Sequence, residues 1–200
     1  MIWDENHVTS QNLRNAKKQG TILLGFNEPD HRKQACMTVD EALNLWPQLE
    51  ATGMRLGSPA TASGADKPAG WFGQFMQQSH ARGYRVDFVC AHHYAQNYSD
   101  PVKEGIVLRD FLTRIFQLYR KPIWLTEFAL SNWRKPATPD QQKAFMAAVL
   151  PMLEDLPFLE RYAWFALPPN PDGDEGALVG ASLSDCKGNL NSLGEYYKNF

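Results

Sequence analysis

Residues 23–30 read LLGFNEPD. The apolar run up to Asn27 has the character of the last part of a buried strand. Glu28 follows at once, and Pro29 then stops the strand and fixes the backbone. A carboxylate at the mouth of an apolar run is what parallel α/β folds place at the C-terminal edge of a sheet, where ligands and active sites sit.

The same pattern recurs outward from this stretch. Short apolar runs at 21–26, 54–60, 86–94, 122–130 and 161–167 predict strands, being rich in β-branched and aromatic residues. Between them, 38–53, 69–83, 105–121 and 138–156 carry helical periodicity, with a final helix expected over 191–200. Thr38 with Glu41, and Thr138 with Pro139 and Gln141, are helix-start signals. Pro47 is expected to kink or shorten its helix. The order is β-α-β-α throughout, as in a parallel sheet covered on both faces. No repeat or low-complexity linker interrupts it. The longest irregular stretch, 168–189, reads either as a functional loop or as a surface excursion containing a hairpin.

Polar residues gather at the ends of these strands. Asn27 and Glu28 end one, Ser58 the next, His92, His93 and Tyr94 the third, and Thr126 and Glu127 the fourth; Trp164 lies near the end of the fifth. The 200 residues are 44% hydrophobic and 21% charged, enough for a substantial core in one domain spanning 1–200. Net charge is −2 with no basic stripe, which argues against nucleic acid as a partner. No apolar window is long enough for a membrane span. The first residues, MIWDENHVTS, lack the basic and apolar regions of a signal peptide. Cys36, Cys90 and Cys186 are far apart and odd in number, so at most one disulfide is available. Six tryptophans serve equally as core filler or as stacking platforms.

Glu127 interrupts the apolar run IWLTEFAL, where a carboxylate is costly unless paired. With Glu28 it forms the equipment for glycoside hydrolysis, in which one acid protonates the leaving oxygen and the other attacks the anomeric carbon. A separation of about 5–5.5 Å would mean retention through a covalent glycosyl-enzyme. His92 and His93 point to opposite faces of a strand and do not easily share one ion, so no metal is expected. No cofactor is expected either. His92 and Tyr94 share a face and are placed to hydrogen-bond a carboxylate or sugar hydroxyls.

The ordered set LLGFNEPD, RLGSPA, DFVCAHHY, PIWLTEFAL and RYAWFAL resembles glycoside hydrolase family 128, within the clan of retaining (β/α)8 glycosidases. That family shares its catalytic core with fungal alkali-sensitive-linkage cell-wall proteins. The resemblance covers nearly the whole chain and implies an α/β fold, the (β/α)8 TIM barrel. It implies an endo-β-1,3-glucanase acting on β-glucan, or a protein that binds β-glucan, outside the cell or in its wall. By position, Glu28 would be the acid/base and Glu127 the nucleophile. Asn27 would touch the 2-hydroxyl, His92 and Tyr94 would line the site, and Trp164 would floor the central subsite. Ser58 joins the substrate-binding set, and Trp3, Trp71 and Trp133 are candidate platforms at outer subsites. His93 stands where relatives often carry Trp and is expected to face away from the cleft.

A barrel of about 250 residues gives each βα unit about 30. Only 27 residues precede Glu28, room for residues 1–3 as the tail of strand 3 and a helix within 9–20. The barrel is therefore expected to be N-terminally truncated, with strands 3–8 present and strands 1–2 absent. Linkage and chain-length preference rest with the loops 61–70, 95–104, 131–137 and 168–189. A non-catalytic glucan-binding or wall protein on the same barrel is the competing reading. Oligomeric state is left open.

Overall fold

The computed structural model describes residues 1–165 and 174–200. Two of the expectations above, the end of the strand at 161–167 and the first part of the 168–189 stretch, lie partly outside the described residues.

Helices and strands alternate in chain order: α1 (Ser10–Gln19), β1 (Ile22–Leu23), α2 (Val39–Glu50), β2 (Arg55–Leu56), α3 (Trp71–Ala81), β3 (Val89–Ala95), α4 (Pro101–Tyr119), β4 (Ile123–Leu130), α5 (Pro139–Glu154), β5 (Leu159–Trp164) and α6 (Ser192–Lys198). This is the α/β alternation expected. The chain folds as two compact units. One comprises Met1–His92 with Thr113–Trp124, and the other His93–Leu112 with Leu125–Phe200.

In the first unit, β1 and β2 pair in parallel with Ile22 opposite Arg55. Isolated parallel bridges, Asn27 with Ala60 and Gly57 with Phe88, carry the pairing onward. Residues 1–3 form no strand, yet Ile2 N–H donates to Leu24 O at 3.1 Å and Asn27 N–H donates to Trp3 O at 2.9 Å. Gly57 is required at its place: a Cβ there would lie 2.6 Å from the Phe88 ring and 2.7 Å from Cys90 Sγ. Helix α2 opens on a capping box, with Glu41 N–H donating to Thr38 Oγ1 and Thr38 N–H to Glu41 Oε2. Pro47 sits inside α2, which runs on to Glu50, with Ala51 N–H donating to Pro47 O. Proline removes a single donor there, so the last turn survives. Trp46 is buried, set edge-on to Phe26 and Phe75, and its indole N–H donates to Arg85 O at 3.0 Å. Loop 61–70 is tied to α4 through Asp66, whose carboxylate accepts from Arg114 Nε at 2.8 Å and lies 3.3 Å from Lys67 Nζ.

The three-stranded sheet has the order β3-β4-β5, and the second unit holds the C-terminal parts of β3 and β4 with all of β5. Ser131 N–H donates to Ala95 O and Phe165 N–H to Phe128 O. Helix α5 begins with the expected capping box on Thr138 and Gln141. Buried Gln142 then bonds β4 with both ends of its amide, accepting from Leu130 N–H at 3.0 Å and donating to Leu130 O at 2.8 Å. Residues Asp174–Ala181 form a 3-10 helix, and the antiparallel bridge between Ser184 and Leu190 closes a turn after it.

Among the described residues the strands make one two-stranded and one three-stranded sheet rather than a closed barrel. β1 and β2 prove shorter than their apolar runs, because regular pairing gives way after them to the single bridges at Asn27 and Ala60 and at Gly57. No helix of the described residues is long and apolar enough to cross a membrane. All three cysteines are free: Cys36 and Cys186 are exposed, and Cys90 is buried, which pushes its thiol pKa well up.

Candidate active site

Glu28 follows the last bridged residue of its strand, Asn27, in a left-handed backbone conformation at φ 43°. Such a conformation costs a non-glycine residue about 1 kcal/mol or more and persists where its surroundings over-determine it. Here Glu28 N–H donates to Ala60 O at 2.7 Å, and Glu28 O accepts from His31 N–H at 2.9 Å. Pro29 supplies a fixed φ directly after. The turn lifts the carboxylate toward the imidazole of His92, with Glu28 Oε1 3.0 Å from His92 Nδ1. The His92 side chain is almost wholly enclosed, whereas Glu28 keeps 13% of its side-chain surface exposed. An ionised Glu28 accepts from an Nδ1–H; a protonated Glu28 donates to a bare Nδ1. The pair thus accommodates either state of the acid. Each is of a metal-ligating type, and here they bond one another.

Asp30 supports this turn from the other side. Its Oδ1 accepts from Ala62 N–H at 2.8 Å, fastening the segment after Ala60 to the turn that carries Glu28. Burial raises the Asp30 pKa, backbone hydrogen bonds oppose that rise, and the Glu28 charge adds to it. Asn27 is buried, with Nδ2 donating to Gln34 Oε1 at 3.2 Å.

In the second unit, Glu127 stands on β4 and accepts a 2.6 Å hydrogen bond at Oε2 from the Tyr94 hydroxyl on β3. The Tyr94 ring is edge-on to Trp133 at 5.0 Å and to Phe165 at 6.3 Å. Trp133 is 51% exposed and also left-handed, at φ 60°. His93, one residue before Tyr94, packs on Phe111 of α4 at 5.2 Å, as strand alternation requires.

The remaining sequence candidates are more deeply built in. Ser58 is fully buried; its hydroxyl donates to Pro59 O at 2.8 Å and accepts from Cys90 N–H at 2.9 Å, so it presents no surface to a ligand. Trp164 is only 7% exposed, packs against Phe128 and Phe145, and donates its indole N–H to Ala181 O at 2.8 Å. Trp71 is half-buried, stacked on Phe75, with its indole N–H donating to Met37 O at 2.8 Å. Trp3 lies edge-on to His7, and its carbonyl holds Asn27 N–H. The structure thus joins Glu28 with His92, and Glu127 with Tyr94 and Trp133. Ser58, Trp71 and Trp164 are each held by hydrogen bonds to backbone groups.

Asp30 and Gln34 were not singled out from sequence, although the Asp that closes GFNEPD was a readable signal for a turn residue.

This chain resembles known proteins along its whole length. Residues 1–197 match the family described as glycosyl hydrolase catalytic core. The crystal structure of a GH128 (subgroup I) endo-β-1,3-glucanase from Amycolatopsis mediterranei, in complex with laminarihexaose, superposes with a TM-score of 0.90 at 41% identity, covering 100% of this chain and 80% of that one. A GH128 (subgroup II) endo-β-1,3-glucanase from Sorangium cellulosum gives a TM-score of 0.79 at 30% identity, covering 98% and 78%. Alkali-sensitive linkage protein 1 of Schizosaccharomyces pombe is 32% identical over 189 residues, which is 89% of this chain. The chain spans about a third of the length of that curated relative, 32%. On these matches the chain belongs to the glycosyl hydrolase catalytic core family and, within it, to glycoside hydrolase family 128.

Proposed function

We propose that the protein is a retaining endo-glycosidase that hydrolyses β-1,3-glucan, with Glu28 as acid/base and Glu127 as nucleophile. In the first step the Glu127 carboxylate attacks the anomeric carbon while Glu28 gives its proton to the leaving glycosidic oxygen. The product is a glycosyl ester on Glu127 and a shortened glucan. In the second step Glu28 takes a proton from water, whose oxygen displaces Glu127 from the sugar. His92 orients the Glu28 carboxyl through both of its protonation states. Tyr94 holds one oxygen of Glu127 and so orients the other. Asn27 is assigned to the 2-hydroxyl, and Trp133, with Trp3, to sugar stacking. The mechanism uses neither metal nor cofactor.

The observation that carries this reading is the full-length match to a GH128 endo-β-1,3-glucanase, together with the placement of both glutamates, each held by its own side-chain partner. Support also comes from that enzyme's oligosaccharide complexes. Three of them were obtained with one or other of two glutamates replaced, and these are separated by nearly the same length of chain as Glu28 and Glu127. The parallel pairing of β1 with β2 and the parallel bridges that follow them support a (β/α)8 barrel plan. The family match over 1–197 supports one catalytic domain, for which a single cooperative thermal transition is expected.

The test is product analysis on laminarin, with mixed-linkage glucan and cellulose as controls and NMR of the first-formed anomer. Short laminarin oligosaccharides with the β-anomer appearing first are expected. Initial release of the α-anomer would overturn retention. Laminarin bound but not cleaved by folded protein would move the assignment to a glucan-binding protein.

A further inference from the structure

We infer that Tyr98 is a positioning residue that sets the Trp133 platform and thereby governs the affinity for glucan; this rests on the function proposed above. The Tyr98 hydroxyl makes two hydrogen bonds to one loop. It donates to Lys135 O at 2.7 Å and accepts from Asn132 N–H at 2.8 Å. These two backbone groups flank Trp133, so a single hydroxyl pins the loop on both sides of that residue. Asn132 reinforces the turn from within, its Oδ1 accepting from Arg134 N–H and Lys135 N–H at 3.1 Å each. Ser131 Oγ accepts from Trp133 N–H at 3.3 Å.

What this bracing holds is an unusual backbone. Trp133 sits at φ 60°, which an L-residue seldom adopts unless its neighbours impose it. The result is a large apolar ring left half-exposed rather than buried, edge-on to the Tyr94 ring, whose hydroxyl bonds Glu127. A ring held open at a fixed angle beside the proposed nucleophile suits the apolar face of a pyranose. Pre-setting that angle removes ordering that binding would otherwise require. Tyr98 touches neither Glu127 nor the reacting atoms in this account. It acts through the loop alone.

Tyr98→Phe keeps the ring and removes the two hydrogen bonds. With laminarihexaose as substrate, KM is expected to rise about fivefold, the scale of one hydrogen bond's contribution, with kcat within about twofold. Trp133→Ala is expected to raise KM by about tenfold or more, and Tyr98→Phe added to it is expected to have no further effect on KM. Asn132→Ala, which loosens the same turn, should reproduce Tyr98→Phe. A Tyr98→Phe enzyme with unchanged KM overturns the inference. So does one that loses kcat at constant KM, or one whose effect on KM adds in full to that of Trp133→Ala. The function itself is judged separately: if Glu127→Gln retained full hydrolysis, the proposed chemistry would fail whatever Tyr98 does. Laminarihexaose affinity of Tyr98→Phe, measured by calorimetry on the Glu127→Gln background, tests the platform without turnover.

Discussion

The Tyr94 hydroxyl on β3 donates to Glu127 Oε2 on β4 across 2.6 Å. A hydrogen bond to a charged acceptor contributes about 1.5–3 kcal/mol. Holding Oε2 aims the other carboxylate oxygen at the anomeric carbon, and the loss of that positioning appears in kcat. Tyr94→Phe is therefore expected to lower kcat on laminarin by about 10- to 100-fold with its melting temperature nearly unchanged. Steady-state kinetics beside a thermal melt check this, and an undiminished kcat would remove Tyr94 from the mechanism.

Glu28 and Glu127 are distinguishable by leaving group. Glu28→Gln is expected to cut laminarin hydrolysis by about 10²- to 10⁴-fold, the usual value of general acid–base catalysis. An aryl β-glucoside oligomer whose phenol leaves without protonation should still form the glycosyl-enzyme, giving a burst of phenol. Glu127→Gln should give no burst with either substrate. Equal behaviour of the two variants toward the activated substrate would contradict the division of roles.

Asp66 makes a prediction about acid stability. Burial pushes its pKa up, but hydrogen bonds and charge from Arg114 and Lys67 outweigh this and leave it lowered. A carboxylate with a depressed folded pKa contributes stability that is present above its unfolded value, near 3.8, and lost as pH falls through the folded one. Asp66→Asn is expected to cost about 1–2 kcal/mol at pH 7, discounted because Arg114 is half exposed. Denaturant melts should show the gap to wild type closing below pH 4, and a gap constant with pH would rule out the ion pair as its cause.

Gly57→Ala tests the close packing of β2 against Phe88. The added methyl has no room between the Phe88 ring and Cys90 Sγ. Overpacking of this kind costs about 1–3 kcal/mol. A loss of that size in the urea midpoint is expected, whereas Gly53→Ala meets no neighbouring atom and suffers only from its φ of 72°.

The order of elements was legible because each strand is an apolar run broken at its end by a polar residue. Boundaries were less so. Helix α4 starts at Pro101, four residues before its expected start, although Asp100 and Pro101 are a readable cap and first-turn pair; Lys103 N–H does bond Asp100 Oδ1. Gly105, the first residue of the expected helix, lies inside α4, and its bare Cα faces Val149 of α5, where a Cβ would sit 3.4 Å away. Glu28 and Glu127 were legible as acids in apolar settings. The left-handed backbone at Glu28 was not, since nothing in a glutamate's identity announces it. The side-chain partners of Ser58 and Trp164 were not legible from their positions near strand ends. Their polar atoms bond Pro59 and Cys90, and Ala181, partners remote in sequence or hidden in the backbone. Tyr98 escaped notice for the same reason: its partners are a carbonyl and an amide more than thirty residues on.

The distribution of cysteines gives the protein a built-in pair of spectroscopic handles. Cys36 belongs to the first unit and Cys186 to the second, and both thiols are exposed, while Cys90 is buried and hard to ionise. Maleimide dyes would therefore couple at one position on each unit of the natural sequence. Each dye would then report, by its own emission, how the surroundings of its unit respond to laminarihexaose.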